Sequence, residues 1–352
     1  MSQGNDKIGL NVNGYVDQAA PAEQLVGPGR SLWGDAWRRL WRDRSAKLCL
    51  AVILLYALVG LGTAGYELAA EEFPDLHWPT YKQMTDYDNR AQPPSAYWSN
   101  LWKDPARLLS NWQNMLGTDW SGKPVLIKTL YGAKVSMTVG LMANVIAVPL
   151  GLILGALAGY YGRWVDNIIV WLYSTLASVP SIILLISIKY AFRDPLFKSS
   201  WFPEGIDLSG IHGLYLALGV ISWISTCRYI RAETMKLREM DYVMAARATG
   251  RSSLAILLHH ILPNVFHIAI INFSLGFIGA VSAEVILSYL GLGVAVGTPS
   301  WGQMINSARM DLFAGRWWEL TSAVTAIFFL VLALNIFGDR LRDALDPKLK
   351  NV

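Results

Sequence analysis

The feature that most limits what this chain can fold into is a set of six apolar runs, roughly Lys47–Tyr66, Val135–Tyr160, Val165–Tyr190, Gly213–Tyr229, Val265–Leu290 and Trp318–Phe337. A helix needs ~20 such residues to cross ~30 Å of hydrocarbon, and each run is near that length, the fourth being the shortest. With 352 residues, 53% of them hydrophobic, the chain is either one large domain or a polytopic membrane protein, and the uninterrupted runs choose the second. Eleven of the 30 glycines fall inside these runs, as close packing of membrane helices favours. The fold class expected is therefore all-α, with six transmembrane helices.

Lys and Arg near the span ends orient the chain. Arg38, Arg39, Arg42, Arg44 and Lys47 precede the first span, and Arg163 follows the second. Arg228, Arg231, Lys236, Arg238, Arg247 and Arg251 cluster after the fourth, with Arg340, Arg342, Lys348 and Lys350 after the sixth. The opposite short loops are sparser, with Arg193 and Lys198 in one and Arg309 and Arg316 in another, while the long first outer loop carries several Lys that its length and its acids discount. Both termini are expected in the cytoplasm. The net charge of +4 is explained by these loops, and no basic cluster interleaved with aromatics that would suit nucleic acid lies outside the membrane-flanking segments.

Residues 1–30 are polar and are expected to be disordered, with no removable signal peptide. From 31 to 46, Trp33, Trp37, Leu40 and Trp41 recur at helical spacing beside arginines. That pattern suits either an amphipathic helix in the headgroup region or a simple extension of the first span. The loop 67–134 contains six prolines and is not one helix; Asp104 and Pro105 suggest a short helix with Leu108, Leu109 and Trp112 on one face. Resting on the membrane, touching a partner and receiving a binding protein are its open roles, which sequence does not rank, with surface packing the default. Within the same loop Gly117–Pro124, GTDWSGKP, imitates a phosphate-binding loop until Pro124 replaces the required hydroxyl. No strand precedes it, and Trp120 blocks the turn.

Between the fourth and fifth spans lies Asp241–Pro263, DYVMAARATGRSSLAILLHHILP, which reads as two short helices with a hinge. Asp241 has N-cap chemistry and Gly250 is a left-handed stop, leaving about two turns from Tyr242 to Thr249. A helix this short does not hold itself in water. Tyr242, Ala245, Ala246 and Thr249 share a face whose small side chains admit another backbone, while Arg238, Glu239, Arg247 and Arg251 occupy the flanks. By local pattern alone it is either a docking helix or an ordinary loop helix packed on its own domain.

Ala245, Ala246, Gly250, Leu262 and Pro263 spell A-A-x-x-x-G followed by Leu-Pro, which resembles the EAA loop of permease subunits in binding-protein-dependent ABC importers. Met244 stands where that motif usually has Glu, as the peptide-transport branch tolerates, and His260 stands where Ile is usual. Leu116–Leu141, Ser288–Ile305 and Phe337–Lys350 resemble the second permease subunit of oligopeptide and dipeptide importers, a similarity running with gaps from about Ser31 to the C-terminus. Lys123-Pro124 departs from the Arg-Asp usual there. The resemblance implies a type I importer permease fold with a core at 135–345, a coupling loop at 235–263 and a short tail at 346–352. It places Asp241, Tyr242, Ala245, Ala246, Arg247, Thr249, Gly250 and Arg251 at the contact with an ATPase subunit. It further implies a sister permease subunit, two ABC ATPase subunits that carry ATP and Mg, an extracytoplasmic solute-binding protein and a bacterial inner membrane around the chain. No cofactor is expected in the chain itself.

Few groups remain for chemistry. Glu284, beside Ser282 and within the fifth span, either faces the translocation pathway or makes a structural hydrogen bond. His77, His212, His259, His260 and His267 form no metal-spaced set, and Cys49 and Cys227 read as small apolar fillers. A self-contained secondary transporter or channel is the main rival to a permease subunit, and an intramembrane enzyme lacks a reactive pair.

Overall fold

The computed structural model describes residues 32–73, 79–81, 83–101, 112–192, 208, 210–295 and 297–345. Both tails, Asp104 to Leu109 of the outer loop, and Arg193, Lys198, Lys348 and Lys350 lie outside the described residues. Among the described residues every regular element is a helix, apart from one isolated bridge between Thr118 and Pro124.

Helix α1, Leu32–Arg42, is separate from α2, Arg44–Glu72, because Asp43 turns extended between them and its carboxylate accepts from Ser45 N–H at 2.8 Å. The helix expected over 31–46 thus ends at Arg42, and the first apolar helix begins before Lys47. A short α3, Pro94–Leu101, follows in the outer loop. Helix α4, Val125–Tyr161, is 37 residues long, roughly 55 Å, and starts ten residues before the apolar run. Apolarity could not reveal that extension, because Lys128 and Lys134 interrupt it. Both charges are neutralised, Lys128 by Asp119 and Glu319, Lys134 by Glu67.

The third run does not form one helix. It breaks into α5, Arg163–Ala177, and α6, Ser181–Ala191, bent by 89°. Pro180 lacks an N–H and disfavours helical backbone at Val179, so the ladder stops and restarts at Ser181. Helices α7, Ile211–Leu237, and α8, Asp241–Ala248, lead to α9, Ser253–Tyr289. Helix α10, Trp301–Phe313, and α11, Trp318–Leu345, complete the set. Five of these helices are long and apolar enough to cross a membrane, and the bent α5–α6 pair makes six if it counts as one span. Leu54, Leu58 and Leu61 of α2, Ile153 of α4 and Phe328 of α11 are exposed on the outside of the bundle, where lipid is the compatible solvent.

Helix α4 is the centre of the bundle. Gly151, Gly155 and Gly159 form a stripe against α7, and a methyl group added to them would meet Trp223 O at 2.7 Å, Cys227 O at 2.6 Å and Arg231 O at 2.7 Å. Hydrocarbon gives two apolar helices no reason to separate from lipid, so dispersion across such a close approach is what joins them.

The outer ends are joined by charge. Lys128, almost fully buried, donates to Asp119 Oδ2 at 2.9 Å and pairs with Glu319, which also accepts from Ser307 Oγ at 3.0 Å. Asp119 Oδ1 accepts from the backbone N–H groups of Ser121 and Lys123, each at 2.8 Å. Burial opposes ionisation of Asp119, but the Lys128 ammonium and these donors hold its carboxyl below the usual range. The phosphate-loop look-alike is therefore a closed turn around its own aspartate. Its Lys123 ammonium lies 4.4 Å from the Tyr81 ring, and Trp318 Nε1 donates to Thr118 O at 2.8 Å.

Gly155→Ala should destabilise the protein by about 1–3 kcal/mol, because the intruding methyl meets backbone. Gly279→Ala on α9, where a methyl meets nothing within 4 Å, should leave the thermal unfolding midpoint in detergent unchanged or raised. Lys128→Met should cost about 3–5 kcal/mol in the same measurement, since two buried carboxylates lose their common cation.

Candidate functional site

The segment 241–263 folds as one short free helix followed by the start of a long one. Met240, not Asp241, is the N-cap: its backbone is extended and its carbonyl accepts from Val243 N–H at 2.9 Å and Met244 N–H at 3.0 Å. Asp241 instead sits in the first turn, where its charge faces the positive end of the helix. At the other end Gly250 takes φ +80°, Gly250 N–H bonds to Arg247 O at 3.0 Å and Arg251 N–H to Ala246 O at 3.2 Å. This crossed pair satisfies the last carbonyls and stops the helix. Ser252 then caps the next helix by accepting from Ala255 N–H at 3.3 Å.

One fully buried side chain seats α8 on the bundle. Val243 is wholly buried in a cluster with Tyr160 of α4, Ile230 of α7 and Ile256, Ile261 and Val265 of α9. Ala246, three residues on, is half-buried against the same cluster and so turns partly away from the face expected for it. Tyr242, Met244, Ala245, Ala248 and Thr249 are exposed, with Asp241, Gly250 and Arg251 beside them. The exposed surface is aromatic at one end and small-sided along the middle. Arg247 lies 5.9 Å over the Tyr160 ring. Sequence reasoning missed Val243 because a lone valine in an eight-residue helix carries no periodic signal.

His260 also finds its place. Pro263 supplies no N–H for the His259 carbonyl, and Leu257–Ile261 widens into a π-helical turn, closed by Leu262 N–H to Leu257 O. Arg251 Nη1 donates to His260 Nε2 at 2.8 Å, which puts the ring proton on Nδ1, since arginine has only donors. Asn264 Nδ2 donates to His260 O at 2.6 Å and approaches Tyr242 OH at 3.5 Å. Arg251, His260, Asn264 and Tyr242 thus connect the exposed edge of α8 to α9. Partial desolvation on its packed side raises the Tyr242 phenol above its ordinary pKa.

Two further contacts stiffen the same end. Arg231 grips Asp166 with bonds of 2.5 and 2.7 Å, joining α7 to α5, and Arg238 Nη1 donates to Gly159 O at 3.1 Å, joining the end of α7 to α4.

Glu284 and Ser282 are not brought together. Glu284 is fully buried and accepts from Ser288 Oγ at 2.8 Å and Ser136 Oγ at 3.2 Å, with Ser300, the N-cap of α10, as a further partner. Ser282 is exposed on another face of α9. Cys49 and Cys227 are free and buried, on α2 and α7. Among the described residues no three His, Cys, Asp or Glu side chains are grouped to hold a metal.

A bundle of apolar helices carrying a short exposed helix between two of its spans defines a multi-pass membrane protein. The sequence comparisons agree. Residues 148–351 match the binding-protein-dependent transport system inner membrane component, and residues 31–94 match the N-terminal TM domain of oligopeptide transport permease C. The dipeptide transport system permease protein DppC of Alkalihalophilus pseudofirmus is 31% identical over 321 residues, 91% of each chain. The oligopeptide transport system permease protein OppC of Haemophilus influenzae is 30% identical, over 95% of this chain and 94% of that one. The glutathione transport system permease protein GsiD of Escherichia coli O6:K15:H31 is 32% identical, over 94% of this chain and 96% of its own length. The chain belongs to the family of binding-protein-dependent transport system inner membrane components and is a multi-pass inner-membrane protein.

Gly250→Val should open α8. The site has room for the side chain, so the cost comes from the positive φ alone, about 1–2 kcal/mol. Hydrogen exchange at Val243–Ala248 should quicken roughly five- to thirtyfold, with the membrane helices unaffected.

Proposed function

We propose that this chain forms half of the translocation pathway of an ATP-driven importer and that α8 is where an ATPase subunit takes hold of it. The observation that carries this reading is the mounting of α8: most of its residues are exposed, yet Val243 seats it on side chains from α4, α7 and α9 at once. A force applied to the exposed surface is delivered to three membrane helices together, as a rigid-body switch between outward and inward access requires. The small side chains of Ala245 and Ala248 let a partner's groove close on the helix backbone, and Tyr242 and Arg251 fix its ends.

In this reading α8 and both termini lie in the cytoplasm, consistent with the arginines around it. Two ABC ATPase subunits bind ATP and Mg. A sister permease completes the pathway, and an extracytoplasmic binding protein delivers the solute. The solute class is peptides or related small molecules, in keeping with the dipeptide, oligopeptide and glutathione systems named for the relatives. This chain performs no catalysis of its own. Glu284 serves as a clamp between α4, α9 and α10, and the exposed Ser282 is left for the pathway or the sister subunit.

Ala245→Arg should leave the protein inserted and folded but reduce uptake at least tenfold in vesicles reconstituted with the sister subunit, ATPases and binding protein, while ATP hydrolysis continues. Undiminished uptake by that variant would refute the docking role. The chain reconstituted alone should move no solute on an ion gradient, and such movement would favour a secondary carrier instead.

A further inference from the structure

Apart from α8, a cavity lies where α2 and α4 meet the outer loop. It encloses about 320 Å³, within the size range of small-molecule sites, and Gly62 and Tyr66 of α2, Met84 of the loop, and Ile127, Leu130 and Tyr131 of α4 line it. Two observations say that it is not merely a packing gap. Tyr131 is only 5% exposed, and among the described residues its hydroxyl has no hydrogen-bond partner, whereas the neighbouring Tyr66 hydroxyl donates to Pro79 O at 3.0 Å. A buried phenol left without a partner is costly and points to an acceptor supplied from outside the chain. At Gly62 a methyl group would meet nothing within 4 Å, so the wall is open where a side chain would ordinarily fill it.

The level of the cavity identifies the occupant. Helix α2 is uncharged from Leu48 to Tyr66, a length of roughly 28 Å, and Glu67 follows immediately. That stretch matches the hydrocarbon thickness, so Gly62–Tyr66 is its last turn, at the boundary with the headgroups. The Glu67–Lys134 ion pair marks the same level on α2 and α4. A pocket at that depth, mostly apolar with one unsatisfied donor, fits the upper acyl segment and ester carbonyl of a phospholipid.

We propose that this cavity holds a phospholipid of the surrounding leaflet, its acyl chain against Leu130 and Ile127 and an ester carbonyl accepting from Tyr131 OH. The bound lipid completes the packing of α2 and the outer loop on α4. The proposal needs only that the chain spans a bilayer, and it stands whichever solute is carried.

The test uses the full chain in phosphatidylethanolamine–phosphatidylglycerol vesicles containing a phosphatidylethanolamine with a diazirine in its acyl chain. After irradiation, adducts should concentrate on peptides 62–66 and 127–131 relative to other lipid-facing peptides such as 324–332. Gly62→Leu, which fills the opening, should lower the adducts there at least fivefold. Tyr131→Phe, which keeps the ring and removes the donor, should lower them roughly threefold. Labelling of these peptides no stronger than elsewhere would mean bulk lipid only and overturn the proposal, as would labelling that neither variant changes. If Gly62→Leu fails to fold, Tyr131→Phe decides alone.

Discussion

The close approach of α4 to α7 is the contact on which the rest of this protein stands. Inside a bilayer two apolar helices are no better off together than apart unless their surfaces interlock, and interlocking is strongest where backbones touch. The glycines at 151, 155 and 159 permit that touch over more than two turns, and the carbonyls of Trp223, Cys227 and Arg231 occupy the space that side chains would have taken. Where this seam reaches the end of the bundle, Tyr160 and Ile230 emerge side by side as the floor on which Val243 rests. The seating of α8 is thus a consequence of helix packing that begins in the membrane interior.

Charged groups mark the ends of the spans and join elements far apart in the chain. Asp166 with Arg231 locks α5 to α7, Arg340 with Asp43 at 3.1 Å ties α11 to the junction of α1 and α2, and Lys128 gathers Asp119 and Glu319. Burying such groups gives little net stability against apolar replacements, but it fixes which residue lies opposite which. Glu284 does the same without a cation: three serine hydroxyls satisfy it, two of them from helices other than its own. The end of the bundle carrying α8 is further stiffened by Arg238 on Gly159 O and Arg251 on His260.

Much of this was legible beforehand, and the failures have identifiable causes. Apolar runs located the spans because a stretch of that length without charge has few other uses. They misplaced the start of α4, because apolarity cannot register a lysine whose charge is cancelled by a residue 191 positions away. They also joined α5 to α6 across Pro180, whose missing N–H was visible in the sequence but outweighed by the hydrophobic residues on either side. The helix stop at Gly250 was readable because a positive φ demands glycine there. The start was assigned one residue late because Asp is a good cap in isolation, while here the extended Met240 backbone does the work without a side chain.

The sequence by itself determined the class of protein, the approximate membrane helices and the small-sided segment between the fourth and fifth of them. Each of these follows from local composition, length or a backbone requirement of particular residues. Only the tertiary structure decided that Val243 is the anchor, that Ala246 leans inward, that Glu284 and Ser282 face apart, and that Tyr131 ends in a donor unmet among the described residues. Those facts depend on which side chains from distant parts of the chain meet at one point, and no periodicity along a single helix encodes that meeting.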